Sequence, residues 1–95
     1  MEFVCDENKA KINLQRHGGS FAEAEEVFDD LSAIEFFDDL HSEEEERFRR
    51  VGLSAGRLLF VVYSVQEENG RELIRLISAR KADAREERIY NEYNR

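Results

Sequence analysis

Two spacings alternate along the chain, short apolar runs of strand length and stretches with apolar residues every three or four positions, and their alternation marks out eight elements. Phe3-Val4-Cys5 is a strand-like run, and Asp6 stands where a helix cap belongs. From Glu7 to His17, Ala10, Ile12 and Leu14 are the apolar positions of a first helix, which Gly18-Gly19 stops. Ser20-Phe21-Ala22-Glu23 has the form of a capping box, in which the serine and glutamate side chains each satisfy a backbone N–H. Phe21, Ala24, Val27 and Phe28 then share one face of a second helix, ended by Asp29-Asp30. Residues 31–37 read as a strand and 38–45 as an acidic connection. Residues 47–53 form a strand with arginines outward, followed by a turn at 54–57. The near-continuous apolar run 58–65 predicts a central strand buried on both faces. Asn69-Gly70 tolerates positive φ and closes a hairpin to a last strand, 71–77, which stops at Ser78. Asp83 with Glu86 three residues on opens a helix to about Tyr93. The predicted order is β-α-α-β-β-β-β-α: an α+β domain over residues 1–95, with three or four antiparallel strands meandering through short turns.

Composition narrows the class. A chain that is 41% hydrophobic, with seven phenylalanines and three tyrosines, is globular rather than disordered. No apolar run approaches the roughly 18–20 residues that span a bilayer, and Met-Glu-Phe-Val-Cys-Asp lacks the basic start and apolar core of a signal peptide. The one cysteine, Cys5, excludes an internal disulfide and fits a reducing cytoplasm. No cysteine–histidine set has zinc spacing, and no glycine-rich phosphate loop or nucleophile elbow is present.

Charge changes the picture more. The chain carries −8, yet residues 1–46 hold fifteen acids against three bases, while residues 47–95 hold eleven bases against seven acids. The basic excess gathers in the stretch from Arg75 to Tyr90. Planar guanidinium groups at a strand–helix junction suit phosphate, which they bind bidentately at any working pH. Strand alternation allows Arg47, Arg49, Arg57, Arg71, Arg75 and Arg80 to converge beside Lys9, Arg16 and His17. Such a face can cleave RNA, whose 2′-hydroxyl is a built-in nucleophile, if it orients that group, neutralises charge on phosphorus and protonates the leaving oxygen. His17, Glu46, Lys9 and Tyr90 are the acid–base candidates. The bland readings stand beside these. Both charge sets serve equally as solvated faces; His17 at a helix end suits the last carbonyls; the Tyr90 ring suits packing on the sheet better than reaction; His41 and the run Glu43 to Glu46 suit solvent, except that Glu46-Arg47 enters a strand.

Taken in order, Phe3-x-x-Asp6-x-x-Lys9-x-x-x-Asn13, His17-Gly18-x-Ser20-Phe21-x-x-Ala24, Phe28, Glu46-Arg47, Gly52, Val61-Val62, Ile74-Arg75-x-Ile77-Ser78-Ala79-Arg80-x-Ala82, Glu87-Arg88 and Tyr90 resemble the BrnT family of bacterial type II toxins. The resemblance runs nearly end to end. It implies a RelE-like fold, with a central antiparallel sheet, two N-terminal helices and one C-terminal helix. It implies an endoribonuclease that cleaves RNA without a metal or other cofactor and is neutralised by a BrnA-like antitoxin, meeting DNA only through that antitoxin and no membrane at all. Carried over by position, the active face comprises Lys9, His17, Glu46, Arg47, Arg75 and Arg80, with Arg80 foremost. Three positions depart from the family: Cys5 replaces the usual tryptophan, Arg16 the usual lysine, and Gly19 an apolar β-branched residue, a change expected to loosen the link between the helices. With the net acidic charge, these departures define the alternative, a weak or inactive binding module that docks an antitoxin or another partner.

Overall fold

The computed structural model describes residues 2–41 and 45–95. In chain order they form β1 (Glu2–Val4), α1 (Glu7–His17), α2 (Phe21–Val27), β2 (Ile34–Phe37), a 3-10 turn (Asp39–His41), β3 (Glu46–Ser54), β4 (Arg57–Glu68), β5 (Arg71–Lys81) and α3 (Ala84–Tyr93). The fold is α+β, with the helices where the sequence places them. Local chemistry explains their ends. The Asp6 carboxylate accepts from the N–H groups of Asn8 and Lys9 at 2.8 and 3.2 Å. Ser20–Glu23 and Asp83–Glu86 both close as reciprocal capping boxes. Gly18, at φ 75°, donates its N–H to the Leu14 carbonyl and ends α1. Ala55-Gly56 and Asn69-Gly70 all take positive φ and make the two tight hairpins that join β3, β4 and β5.

The strands form one sheet in the order β1-β5-β4-β3-β2. From β2 to β5 neighbours are antiparallel, but β1 runs parallel to β5, with Phe3 beside Ile74, so the sheet is mixed rather than antiparallel throughout. No turn sets the direction of β1 against a partner some seventy residues away in sequence, so reading short turns does not reveal it. Two strand boundaries also move. Leu31, expected in β2, stands fully exposed in the turn before it. Ser78 does not stop β5: Ile77 is an extra residue, a bulge, between the pairs Tyr63–Leu76 and Val62–Ser78, and the strand continues to Lys81.

The main core lies between the sheet and the two N-terminal helices. Phe21, Ala24 and Val27 of α2 pack on Leu59, Val61, Tyr63, Ile74, Leu76 and Ala79. A file of edge-on and stacked rings, Phe3, Phe28, Tyr63, Phe48 and Phe37, crosses this side of the sheet. Arg50, expected outward, lies on this face with its guanidinium 4.6 Å from the Phe28 ring. α2 presses so closely on β3 that a Cβ on Gly52 would come within 2.7 Å of Val27. The opposite face carries a smaller cluster, Val51, Ala82 and Tyr90 with Ile34, Phe36, Leu58 and Phe60. β4 is therefore not buried equally on both faces. Leu59, Val61 and Tyr63 are buried, while Leu58, Phe60 and Val62 are half-buried.

The upper half of β5 has no strand on its outer edge, because β1 pairs only with residues 73–75. Asn13 takes that place. Its side chain is 4% exposed, accepts from the Ala79 N–H at 3.1 Å, and donates to the carbonyls of Ala79 and Gly19 at 2.8 and 2.7 Å. Beside it Gly18 bridges to Arg80. Gly19 is buried here, and a Cβ on it would sit 2.5 Å from the Ala79 carbonyl oxygen. Far from loosening the helix link, Gly19 lets the backbone close against β5. Replacing Asn13 with alanine leaves the Ala79 N–H and two carbonyls unsatisfied in a buried setting, at about 1–3 kcal/mol for each such group before relaxation. Asn13→Ala is expected to lower unfolding free energy by about 3 kcal/mol in urea titration. A loss below about 0.5 kcal/mol, less than one ordinary hydrogen bond, would show that the edge is held by other contacts.

Polar contacts at both ends hold α3. The Arg80 guanidinium lies 4.2 Å above the Phe60 ring and pairs with both Glu86 carboxylate oxygens at 2.8 Å, the same carboxylate that accepts from the Asp83 N–H. At the other end, the Tyr90 hydroxyl donates to Asp30 at 2.8 Å. Asp30, expected from sequence only to terminate a helix, also accepts from Leu53 and Ser32 N–H groups at 2.8 and 2.9 Å. Burial raises its pKa, but those N–H groups, the Tyr90 hydroxyl and the nearby Arg50 charge outweigh it and hold it below the ordinary value of 3.8. Burial, and the hydrogen bond to anionic Asp30, push Tyr90 up from 10.0 to about 12.

The signs follow. Folded Asp30 binds its proton more weakly than unfolded, so its stabilisation is present above about pH 4 and fades as pH falls through the folded value. Folded Tyr90 holds its proton more tightly, so its contribution is complete below about pH 10 and is lost as pH rises toward 12. Tyr90→Phe is expected to cost about 1–2 kcal/mol at pH 7. The gap from the parent protein should close between about pH 10 and 12 in a denaturation series. Arg80→Ala, removing a pair whose side chains are 35% and 14% exposed, should cost about 1 kcal/mol and fray α3, read by hydrogen exchange.

Candidate active site

The register of the three long strands sets the side chains opposite the N-terminal helices into rows. Arg47, Ser64 and Arg75 stand in line across β3, β4 and β5; Arg49, Val62 and Ser78 form the next row; Val51, Phe60 and Arg80 form the third. The Ile77 bulge makes this possible. Arg75 and Arg80 are five residues apart and would fall on opposite faces of a regular strand, but the extra residue restores them to one face and leaves Leu76 and Ala79 in the core. Tyr90 and Ala82 pack on the third row. The first row opens into a cleft.

That cleft, of about 550 Å³, is lined by Lys9, Arg47 and Arg75 together with Asp6, Cys5, Val4, Leu76 and Ile77. Lys9 comes from the first turn of α1, which the Asp6 cap fixes against the end of β1. The half-buried Arg75 reaches Ser64 Oγ with its Nε at 3.4 Å, and its Nη2 pairs with Glu45. Glu45 also accepts from Gln66. Ser64 is fully buried between the two arginine strands. Three cations from three elements thus surround one concave space, the arrangement that neutralises a phosphate. A second, smaller hollow of about 180 Å³ adjoins it, sharing Lys9 and Ile77 and adding Ile12, Asn13, Arg16, His17 and Ser78.

Of the six residues expected to form the site, the structure brings Lys9, Arg47 and Arg75 into the cleft and His17 into the adjoining hollow. Glu46 is elsewhere. It lies on the helix-bearing face, by alternation with Arg47, in a hollow with Val65, Glu67, Gly70 and Glu72. Arg80 shares the arginine face but is occupied by Glu86 and Phe60, and it lines neither space. The last turn of α1, which carries His17, is closed by the Gly18 N–H on the Leu14 carbonyl. Two further expectations of convergence fail. Arg57 is paired with Glu23 at 2.9 Å and donates to the Gly18 carbonyl, and Arg71 reaches Glu2 at the sheet edge, whereas Arg49 stands exposed on the same face as Arg47 and Arg75 without lining the cleft. Glu23 feels burial raising its pKa, but the Ser20 hydrogen bonds and Arg57 bring it below the ordinary value. Tyr90, an acid–base candidate, is buried under α3 and committed to Asp30.

Besides Asp6 on the cleft wall, Glu45 reaches the cation cluster by pairing with Arg75, although the sequence reading leaves it in a solvated acidic run. Strand alternation carries the missed signal. Residues 45 and 47 share a face and 46 opposes them, so the same rule that places Arg47 also favours Glu45 over Glu46. Ser64, a hydroxyl within the apolar run of β4, is the other available signal. Residues 42–44 of the acidic connection lie outside the described residues. Among the described residues, no three histidine, cysteine or acidic side chains come together as metal ligands, and no helix is long and apolar enough to cross a membrane.

No curated protein matches the chain. The family model described as the ribonuclease toxin, BrnT, of type II toxin–antitoxin systems matches residues 5–86, a span that runs from the mouth of the cleft through all of the long strands to the Glu86 anchor of α3. The chain belongs to the BrnT family of ribonuclease toxins of type II toxin–antitoxin systems.

Proposed function

We propose that this chain is itself an active endoribonuclease, a single toxin domain on a RelE-like scaffold, that cleaves RNA in the cleft between α1 and the arginine rows. The observation that carries the reading is the meeting of Lys9, Arg47 and Arg75 in one concave space of an otherwise acidic protein. RNA needs no external nucleophile. The 2′-hydroxyl attacks the adjacent phosphorus, a bond to that oxygen forms as the bond to the 5′-oxygen breaks, and charge builds on the non-bridging oxygens. Arg47 and Arg75 are placed to neutralise that charge, with Glu45 and Ser64 holding Arg75 in position. Lys9, at the edge of the cleft, and His17, in the adjoining hollow, are the groups available for proton transfer. The reaction balances without a metal, so cleavage is expected to persist in EDTA. Arg80 contributes by fixing α3 and β5.

The same face is the natural seat of the BrnA-like antitoxin, since a protein covering Arg47 and Arg75 would exclude RNA. The alternative, a binding module without turnover, keeps one supporting observation: the Arg75 guanidinium already has a carboxylate partner, Glu45.

Cleavage of single-stranded RNA in EDTA separates the two. Arg75→Ala and Arg47→Ala should each lower kcat/KM by about 10²-fold, the usual cost of removing one charge-stabilising donor. Glu46→Ala, on the opposite face, should stay within about threefold, as a residue outside the site does. Wild-type protein that binds RNA or a partner but releases no fragments would establish the binding module instead. Loss of activity in Glu46→Ala with retention in Arg75→Ala would place the chemistry on the other face.

A further inference from the structure

The hollow beside the cleft has its own character. Its fixed cations are Lys9 and Arg16, both from one face of α1, and none of its lining residues is acidic. Neither Arg16 nor His17 has a side-chain hydrogen bond or ion pair among the described contacts, whereas Arg50, Arg57, Arg71, Arg75 and Arg80 are each paired with a carboxylate. Its floor is rigid, because Asn13 is bound to both peptide groups of Ala79. The Ser78 side chain offers a hydroxyl on the wall, placed there by the bulge. Lys9 and Ile77 line both spaces, so the two are continuous.

We infer that this hollow is a second phosphate subsite, and that the substrate is single-stranded RNA whose backbone runs from the Arg47–Arg75 row, past Lys9, onto the C-terminal turn of α1. The inference rests on the ribonuclease reading and extends it from a single scissile phosphate to a track for at least one more. Phosphate is the ligand because the hollow presents cations and a hydroxyl with no carboxylate to compete. A single strand is the form because the path leaves the sheet face and turns onto a helix, a bend that a flexible chain follows and a stiff duplex does not. Ile77, half-buried at the junction of the two spaces, supplies an apolar surface for a base or ribose between the phosphates. Arg16 is a binding and positioning residue, outside the bond-breaking step.

The test uses the full chain and Arg16→Ala, with Arg16→Lys as the conservative control. Arg16 is exposed and makes none of the described contacts, so its removal should leave the melting temperature unchanged. Binding of a 2′-O-methyl oligonucleotide, which cannot react, is measured across salt concentrations, and cleavage is measured on a dinucleotide and on a longer oligonucleotide. The expected result for Arg16→Ala is a slope of log K against log salt shallower by about 0.7, one phosphate's share for a single strand. KM for the longer substrate should rise about tenfold with kcat unchanged, the signature of lost uniform binding. The dinucleotide should be unaffected, and Arg16→Lys should restore most of the binding. An unchanged slope and KM in Arg16→Ala would overturn the subsite while leaving wild-type cleavage intact. Equal loss on the dinucleotide would overturn the track by placing Arg16 at the reacting phosphate. If wild type cleaves neither substrate, the ribonuclease reading itself fails, and the salt slope for binding still reports on the subsite.

Discussion

The pairing of the Asn13 amide with the two peptide groups of Ala79 seats α1 on the sheet, and the shape of the cleft depends on it. A β-strand edge must satisfy a row of N–H and C=O groups, and the outer edge of β5 has a strand beside it only at residues 73–75. Beyond them Asn13 supplies one acceptor and two donor bonds from a helix, so that one side chain does what a neighbouring residue of a strand would do. That contact draws α1 against the second half of β5, and Gly19 makes the approach possible because it has no Cβ to meet the Ala79 carbonyl. Lys9 is carried to the rim of the arginine face as a consequence. The cleft exists because α1 is bound sideways to the sheet.

The helices divide the labour around that frame. α1 and α2 close the larger core, and Arg57 locks the capping box of α2 to the start of β4. α3 covers only the end of the opposite face that carries Phe60 and Val51, held by Arg80–Glu86 and by Tyr90–Asp30. The rows of Arg47, Ser64, Arg75 and Ser78 lie beyond the cluster that α3 covers. An acidic protein thereby keeps a local cationic surface, and several of its arginines are neutralised in place by specific carboxylates rather than by the average charge.

Arg80 illustrates how one residue type divides between roles. In sequence it is the most prominent member of a basic stretch, and the resemblance to BrnT toxins makes it the first candidate for phosphate. In the fold it is a bidentate partner of Glu86 and a cation over Phe60, which ties the strand to the helix that follows. Arg75, five residues earlier, has the same charge but opens onto the cleft. The difference lies in what stands opposite each: Phe60 and a capping glutamate for one, Ser64 and Glu45 for the other.

Local rules are enough to determine the three helices, their caps and both tight hairpins, because capping boxes, αL glycines and Asn-Gly turns act over four or five residues. Family membership is likewise legible, through matched residues spaced along the chain. Which residues meet is another matter. The direction of β1 depends on a partner at the far end of the chain. Choosing between Glu45 and Glu46 needs strand phase, and the shared face of Arg75 and Arg80 depends on the Ile77 bulge, a single unpaired residue that no periodicity announces. Sequence alone determined the helices, their caps, the tight hairpins and the family, since those follow from short-range backbone bonding and from matched residues along the chain. Only the tertiary structure decided which residues line the cleft, since strand phase, bulge and helix docking are set by the hydrogen bonds and packing between distant segments.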